Sequence, residues 1–264
     1  MQNKYLKIGL KICRVLLATA FWVLIWWLAA YRYGKPLLFP SPKEVFPTLW
    51  AMLQTPEFYK ITATSLKNIF VGFISAIGIG TALAICTSYI PLLRDLVSPF
   101  MTVVKATPVA SFVVLVWILI GAEKIPALIT ALIVLPIVWT NLDVGFHSVD
   151  QQLREVTRVY HFSPFKTLRV LILPTVAPYW ISACRTALGL AWKAGVAAEI
   201  IAMPPDTIGR MIGEAKIYIL TEEVFAWTLT IILLSILIEF VFSALLNQLL
   251  KRMSRTGGVS HADI

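Results

Sequence analysis

Long apolar runs separated by short polar segments recur along the whole sequence. Several of them reach about 18 residues, which is the length a helix needs to cross roughly 30 Å of hydrocarbon. The pattern predicts six membrane-spanning helices and leaves no room for a separate soluble domain, so residues 1–264 are expected to form one membrane domain. The predicted spans cover about residues 13–31, 62–89, 98–121, 125–146, 174–202 and 224–250.

The first apolar run follows basic residues, as the core of a cleavable secretory signal would. It contains three tryptophans, however, and it ends in Tyr31-Arg32-Tyr33 instead of a small-residue cleavage site. We therefore interpret it as a span that is retained in the mature protein.

Basic residues cluster at the ends of the predicted spans. Lysines and arginines precede the first span and follow the last, and segment 147–173 carries four more, whereas segment 203–223 is rich in carboxylates. By the positive-inside rule, both termini and segment 147–173 are expected to face the cytoplasm. The basic residues of segment 32–61, which is predicted to be external, oppose the rule.

Composition excludes several other classes of protein. The mean hydropathy is +0.80 and only 14% of residues are charged, which is far from a soluble domain. The net charge of +9 is distributed over span ends and not gathered into a patch that would bind nucleic acid. Cys13, Cys86 and Cys184 are isolated in sequence, so neither a disulfide nor a metal site is predicted.

The external segment should contain a short helix. Ser41 offers a capping hydroxyl, Pro42 suits a first helical position, and Glu44 stands three residues after the cap. The helix either lies on the outer leaflet or packs on the protein's own spans, and the sequence does not separate the two alternatives. Its apolar residues are Val45, Leu49, Trp50, Met52 and Leu53.

The most informative segment is the polar stretch 154–174, REVTRVYHFSPFKTLRVLILP. It is too polar to cross a membrane, and its pattern of polar and apolar residues is too regular for an irregular loop. It predicts a helix over residues 155–160, a break at Ser163-Pro164 and a second helix over residues 164–172, because serine before proline is typical of a helix start. A cytoplasmic helix pair between two spans can dock into a groove on a soluble partner.

This stretch resembles the EAA loop of ATP-binding-cassette (ABC) importer permeases, whose pattern is Glu-Ala-Ala, three residues, Gly, nine residues and then Ile-x-Leu-Pro. His161 replaces the Gly, which permits positive backbone angles more readily than histidine does. Arg158 either pairs with Glu155 or contacts the ATPase. The resemblance assigns ATPase coupling to Glu155, Val156, Thr157, Arg158, His161, Leu171, Leu173 and Pro174. We call residues 147–173 the coupling segment.

Other pieces of the chain resemble permeases of the nitrate/sulfonate/taurine type: LFPSPKEV, SLKNIFVGF, VKATPVASF and RTALGLAWKAGVAAEI. The resemblance extends from about Leu38 to Leu250. It implies an all-α, polytopic membrane protein with the type I ABC importer permease fold, located in the bacterial cytoplasmic (inner) membrane. It also implies ATP-driven alternating access for a small solute, either an anion such as a sulfonate or nitrate, or a vitamin precursor.

The resemblance further implies four kinds of partner. They are two cytoplasmic ATP-binding subunits, an extracytoplasmic solute-binding protein, a second permease copy in a homodimer, and membrane lipid. The sequence has no Gly-x-x-x-x-Gly-Lys-Ser/Thr phosphate loop, so ATP hydrolysis is expected on separate subunits. No catalytic residue, cofactor or metal is predicted.

Charged residues inside predicted spans should face protein or water, since a charge at mid-bilayer costs at least ~2.5 kcal/mol. Fixed cations would suit an anionic solute, although structural roles for Lys105 and Lys193 are equally open. Arg185 is expected to be structural and Glu239 to support helix packing. The candidate pathway residues are Lys105, Pro108, Lys193 and Glu199.

Three competing functions are weaker than the importer. A secondary transporter would favour an inverted repeat, an ion channel a filter-like loop, and an intramembrane enzyme a cluster of His, Glu or Asp at metal spacing. None of these patterns is evident in the sequence. Small residues in the second span, from Gly72 to Ala84, instead predict close helix packing.

Overall fold

Helices dominate the fold because a chain in lipid must satisfy its backbone hydrogen bonds internally. The computed structural model describes residues 2–256, and the side chains of residues 13–248. Within that range no strand is present. The helices are α1 (Gln2–Tyr33), α2 (Pro42–Leu53), α3 (Pro56–Tyr89), α4 (Pro91–Ala106), α5 (Val109–Ile120), α6 (Ile125–His147), α7 (Gln151–Val159), α8 (Pro164–Thr167), α9 (Leu173–Ala202), α10 (Ile208–Ile217) and α11 (Thr221–Thr256).

In the part of the chain that the structure describes, five helical runs are long and apolar enough to span a membrane. The predicted third span is instead the pair α4 and α5, which are bent by 105° at Thr107-Pro108. Pro108 lacks a backbone N–H and disfavours helical geometry at Thr107, whose ψ is 126°. The six predicted spans are therefore five helical runs and one broken pair. The five runs are Cys13–Tyr33, Pro56–Tyr89, Ala122–His147, Pro164–Ala202 and Thr221–Gln248.

The described residues form two compact units. One is made from the described residues up to Lys60 with Met211–Ile231, and the other from Ile61–Arg210 with the described residues from Ile232 onward. The long helices α3 and α11 contribute to both. The coupling segment belongs to the second unit.

In the first unit, α2 packs on the protein's own spans. Val45 and Leu49 are buried with Ala226 of α11. The indole N–H of Trp26 in α1 donates to the carbonyl of Pro40, with 3.1 Å between nitrogen and oxygen. As predicted, α2 starts at Pro42, and the Glu44 carboxylate accepts the Ser41 N–H at 2.6 Å. For the inner face of α2, these contacts support packing on the protein's own spans, which is one of the two alternatives that the sequence left open.

The core of the second unit lies between α3, α6 and α9. Two of its indoles have hydrogen-bond acceptors on α3: Trp139, which is buried, donates to the Thr87 hydroxyl, and Trp180, which is partly buried, donates to the Thr81 hydroxyl, both at 3.0 Å. These bonds hold both α6 and α9 to α3. Of the cysteines, Cys184 is buried here, whereas Cys13 and Cys86 are exposed, and all three are free thiols.

Small residues on α3 allow the close packing that the sequence predicted. A Cβ on Gly72 would lie only 2.1 Å from the Ala127 carbonyl oxygen of α6, and one on Gly80 would lie 3.1 Å from Val138 Cβ. Gly78 of the same helix has open space at the corresponding position. Helix contact thus requires glycine at position 72, leaves little room for a side chain at Gly80 and does not constrain Gly78.

Candidate functional site

The first helix of the coupling segment begins earlier than predicted. The Asp150 carboxylate accepts the Gln152 N–H at 2.7 Å and caps α7, which starts at Gln151. The prediction of a start at Glu155 was therefore wrong, because Asp150 supplies a cap one turn upstream. Glu155 lies in the middle of α7. A helix dipole acts most strongly on side chains in the first turn, and Glu155 is beyond it.

The end of α7 forms a Schellman turn. Phe162 N–H donates to the Thr157 carbonyl at 2.9 Å and His161 N–H to the Arg158 carbonyl at 3.0 Å. This hydrogen-bond pair requires a left-handed residue between helix and loop, and His161 has φ +48°. The histidine therefore adopts the conformation for which the EAA pattern has glycine.

The second helical piece runs directly into the fifth span. Ser163 accepts the Lys166 N–H at 3.3 Å and caps α8, as predicted. A π-helical turn, Leu168–Ile172, then joins α8 to α9. Such a turn accommodates Pro174, which has no N–H to offer the preceding turn. The join is thus continuous helix and not a flexible linker.

Leu171 and Leu173, both assigned to coupling by the sequence, have different surroundings. Leu171 is buried in the core of the second unit, whereas Leu173 is exposed. Leu171 therefore anchors the coupling segment to the spans.

The outer face of the coupling segment combines apolar and charged side chains. Val159, Tyr160 and Phe165 are 73%, 71% and 73% exposed, and Val156 is also exposed. Glu155 is exposed too, and within the described residues it makes no ion pair with Arg158. Large exposed apolar side chains on a polar helix are typical of surfaces that bind another protein.

The inner side of the coupling segment is tied to the ends of the spans. Arg154 donates to the Phe146 carbonyl at 3.4 Å. Nearby, Arg94 at the start of α4 and Asp143 near the end of α6 form a salt bridge of 2.7 Å. Sequence reasoning missed this pair, although both residues stand close to the predicted cytoplasmic ends of their helices. A cavity of about 200 Å³ lies beside Arg154 and His147.

The structure separates the candidate pathway residues. Lys105 donates to the Thr140 hydroxyl of α6 at 2.6 Å, next to the break before Pro108. Lys193 is exposed on α9. Arg185 donates to the Asn247 side chain of α11, in line with its expected structural role.

Glu199 is fully buried and bonded on one carboxylate oxygen. That oxygen, Oε2, accepts the Ser65 hydroxyl at 2.8 Å and the Gly209 N–H at 3.2 Å. The Ser65 hydroxyl in turn accepts the Ile208 N–H at 2.9 Å. We call Ser65, Glu199 and the start of α10 the polar latch. It ties the start of α10 to α3 and α9.

Sequence reasoning missed both α10 and the polar latch. A signal was present, since Thr207 can cap a helix and apolar residues follow at helical spacing. In the structure the Thr207 hydroxyl accepts the Arg210 N–H at 3.4 Å. The apolar residues of that spacing are Ile208, Met211, Ile212 and Ala215.

This arrangement, a bundle of spans with a capped helix pair exposed between two of them, agrees with comparisons to known proteins. The family model described as "Binding-protein-dependent transport system inner membrane component" matches residues 69–255. The chain belongs to this family. The matched range contains α4 to α10, and with them Glu199 of the polar latch and the whole coupling segment.

Three curated relatives narrow the type. The taurine transport system permease protein TauC of Escherichia coli (strain K12) is 27% identical, over 85% of this chain and 84% of its own. The nitrate import permease protein NrtB of Synechocystis sp. is 28% identical, over 72% of each chain. The riboflavin transport system permease protein RibX of Chloroflexus aurantiacus is 26% identical, over 89% and 88%. The chain is thus an ABC importer permease of the nitrate/sulfonate/taurine type.

A solved structure supports the fold. The crystal structure of an amino acid ABC transporter with histidines superposes with a TM-score of 0.60 at 19% identity, covering 77% of this chain and 98% of that one. The predicted all-α fold of a type I importer permease is confirmed.

Proposed function

We propose that two copies of this chain form an ATP-driven import pathway, with ATPase subunits docked on the coupling segment. The observation that carries the proposal is the exposed, capped α7 with its Schellman turn, beside a second helix that continues into a span. The geometry offers a partner a preformed surface and a stiff connection to the membrane domain.

The continuity of α8 with α9 supports a mechanism of transmission. A displacement of α8 cannot be absorbed at the junction, because the chain stays helical from Pro164 to Ala202. Since α9 packs along α6 over much of its length, it would carry the motion into the bundle. ATP-driven closure of the two ATPases would draw the coupling segments of the dimer together and open the pathway outward.

The orientation follows from the same proposal. ATP-binding subunits are cytoplasmic, so the coupling segment faces the cytoplasm, and an even number of crossings puts both termini on that side. A solute-binding protein would then deliver solute to the opposite face. The basic residues of the coupling segment agree with the positive-inside rule.

The solute we propose is a small anion such as a sulfonate or nitrate. Two relatives are named for taurine and nitrate, and the exposed Lys193 and Lys105 offer cations inside predicted spans. Pro108 would shape the same region by breaking the helix. The alternative solute, a vitamin precursor, is supported by one observation, the relative named for riboflavin. For Glu199, burial in the polar latch favours a structural role over contact with solute.

The test of coupling is the charge reversal Glu155→Lys. An exposed glutamate in a docking surface contributes to electrostatic complementarity, so uptake should fall roughly tenfold, which corresponds to about 1.4 kcal/mol at the interface. Glu155 is exposed on a helix without buried residues, so membrane abundance should be unchanged. The measurements are solute uptake by cells and stimulation of ATPase activity by loaded binding protein in proteoliposomes.

Glu123→Lys is the matched control. Glu123 is also exposed, but it lies in the 3₁₀ turn Ala122–Lys124 at the other end of α6. It should leave stimulated ATPase activity nearly unchanged. If both variants keep full stimulation, the coupling segment is not the element of transmission.

A further inference from the structure

Helix α2 has a second apolar face that the fold does not cover. Val45 and Leu49 point inward and are buried. Phe46 and Trp50 lie on the adjoining face and are 48% and 66% exposed. The apolar arc of α2 is therefore wider than the part that packs on protein, and its outer portion needs an occupant.

The contact between α2 and α1 shows where α2 lies along the length of the α1 span. The indole of Trp26 bonds to Pro40 and meets the Phe46 ring edge-on, with 6.3 Å between ring centroids. Trp26 stands seven residues before the end of α1 at Tyr33, which is about 10 Å along a helix. The chain thus folds back after α1, and α2 lies beside the apolar part of that span and not beyond its end.

The contact with α11 gives the same depth. Ala226 and Leu229 pack against the inner face of α2. They stand five and eight residues into the span Thr221–Gln248, or about 7 and 12 Å from its end. Because α2 is flanked by two spans at this depth, its outer face meets the bilayer boundary, where lipid-facing aromatic residues are typical.

Charge distribution agrees with a lipid surface. Arg32, Lys35 and Lys43 are exposed around α2, and they are three of the four basic residues of segment 32–61 that oppose the positive-inside rule. Lipid phosphates attract lysine and arginine near a membrane surface. Glu44 is held by the Ser41 cap, on the polar side of α2.

We propose that α2 is an interfacial, lipid-binding helix. Phe46 and Trp50 enter the boundary between headgroups and acyl chains, and Lys43 reaches the phosphates. The inference rests on the chain being a membrane protein of this family; only the choice of the outer leaflet rests on the orientation proposed above.

The experiment uses spin labels on the full chain in liposomes of phosphatidylethanolamine and phosphatidylglycerol. With the three native cysteines replaced by serine, labels are attached at Phe46→Cys and Trp50→Cys. The matched control is Ala51→Cys, which is exposed but lies a quarter-turn away toward the polar side. Labels at the first two positions should collide more with oxygen than with a water-soluble nickel chelate, and the control should show the reverse.

Two outcomes would overturn the proposal. Preferential collision with the nickel chelate at Phe46→Cys and Trp50→Cys would place the face in water. Low accessibility to both reagents would mean that protein, such as a second copy, covers it. Neither outcome bears on the coupling test at Glu155.

A second measurement does not need labelled variants. Trp50 is one of nine tryptophans, so the difference in fluorescence between the unmodified chain and Trp50→Phe isolates its emission, and brominated lipid should quench that difference. A difference signal that brominated lipid leaves unquenched would also contradict the proposal.

Discussion

Two polar regions of the second unit, the polar latch and the coupling segment, each contain a glutamate on a helix, but the surroundings of the two glutamates are opposite. Glu199 is buried, and its Oε2 accepts two hydrogen bonds. Glu155 is exposed on α7 among apolar side chains. A buried, bonded carboxylate fixes helices to each other, whereas an exposed one on a preformed surface is left to meet a partner. The predictions below test that contrast.

The largest effect is expected at Gly209, where the polar latch is most crowded. A Cβ there would lie 2.2 Å from Glu199 Cβ and 2.4 Å from its backbone carbon. Gly209→Ala must therefore push α10 away from α9 and break the bonds to both Ser65 and Glu199. Folded protein in the membrane should be nearly abolished, as measured by size-exclusion chromatography of a fluorescent fusion.

Gly78→Ala is the control for that prediction. Gly78 is helical and has no neighbour within 4 Å of the added Cβ. Alanine is favoured over glycine inside a helix by roughly 0.5–1 kcal/mol, so this variant should keep wild-type abundance or exceed it. Equal abundance of the two variants would show that the start of α10 is not held as tightly as the polar latch requires.

A smaller loss is expected from Glu199→Ala. This change leaves the Gly209 N–H and Ser65 hydroxyl without their acceptor, at about 1–3 kcal/mol for a buried unsatisfied group. Glu199→Gln keeps an acceptor oxygen and should lose less. The measurement is thermal unfolding of the detergent-solubilised chain. A variant Glu199→Ala with wild-type Tm but no uptake would instead support the pathway role predicted from sequence.

The smallest effect on stability is expected at the coupling segment. His161 has φ +48°, a conformation that disfavours β-branched residues and suits glycine. His161→Val should therefore disturb the turn and reduce uptake, while Tm changes little because α7 contributes no buried residue. His161→Gly should keep wild-type uptake. A large loss of Tm in His161→Val would mean that this turn, like the polar latch, supports the fold.

Local sequence was sufficient for much of the architecture. Apolar run length predicted the spans, and Ser41-Pro42 and Ser163-Pro164 predicted the starts of α2 and α8, because these signals act within a few residues. Residues 98–121 were predicted as one span, and the 105° bend at Pro108 was not predicted, because it depends on how α4 and α5 each pack. The start of α7 was misplaced because the Asp150 cap was overlooked.

The sequence by itself determined which segments are helical, which of them suit a bilayer, and where a coupling segment of the EAA type lies. Only the tertiary structure decided which charged groups are bonded and which remain available. Glu199 meets Ser65 across 134 positions of the chain, and no periodicity encodes such a meeting. Hydrophobic patterning is a property of neighbouring residues, whereas the satisfaction of a buried carboxylate depends on helices brought together by packing.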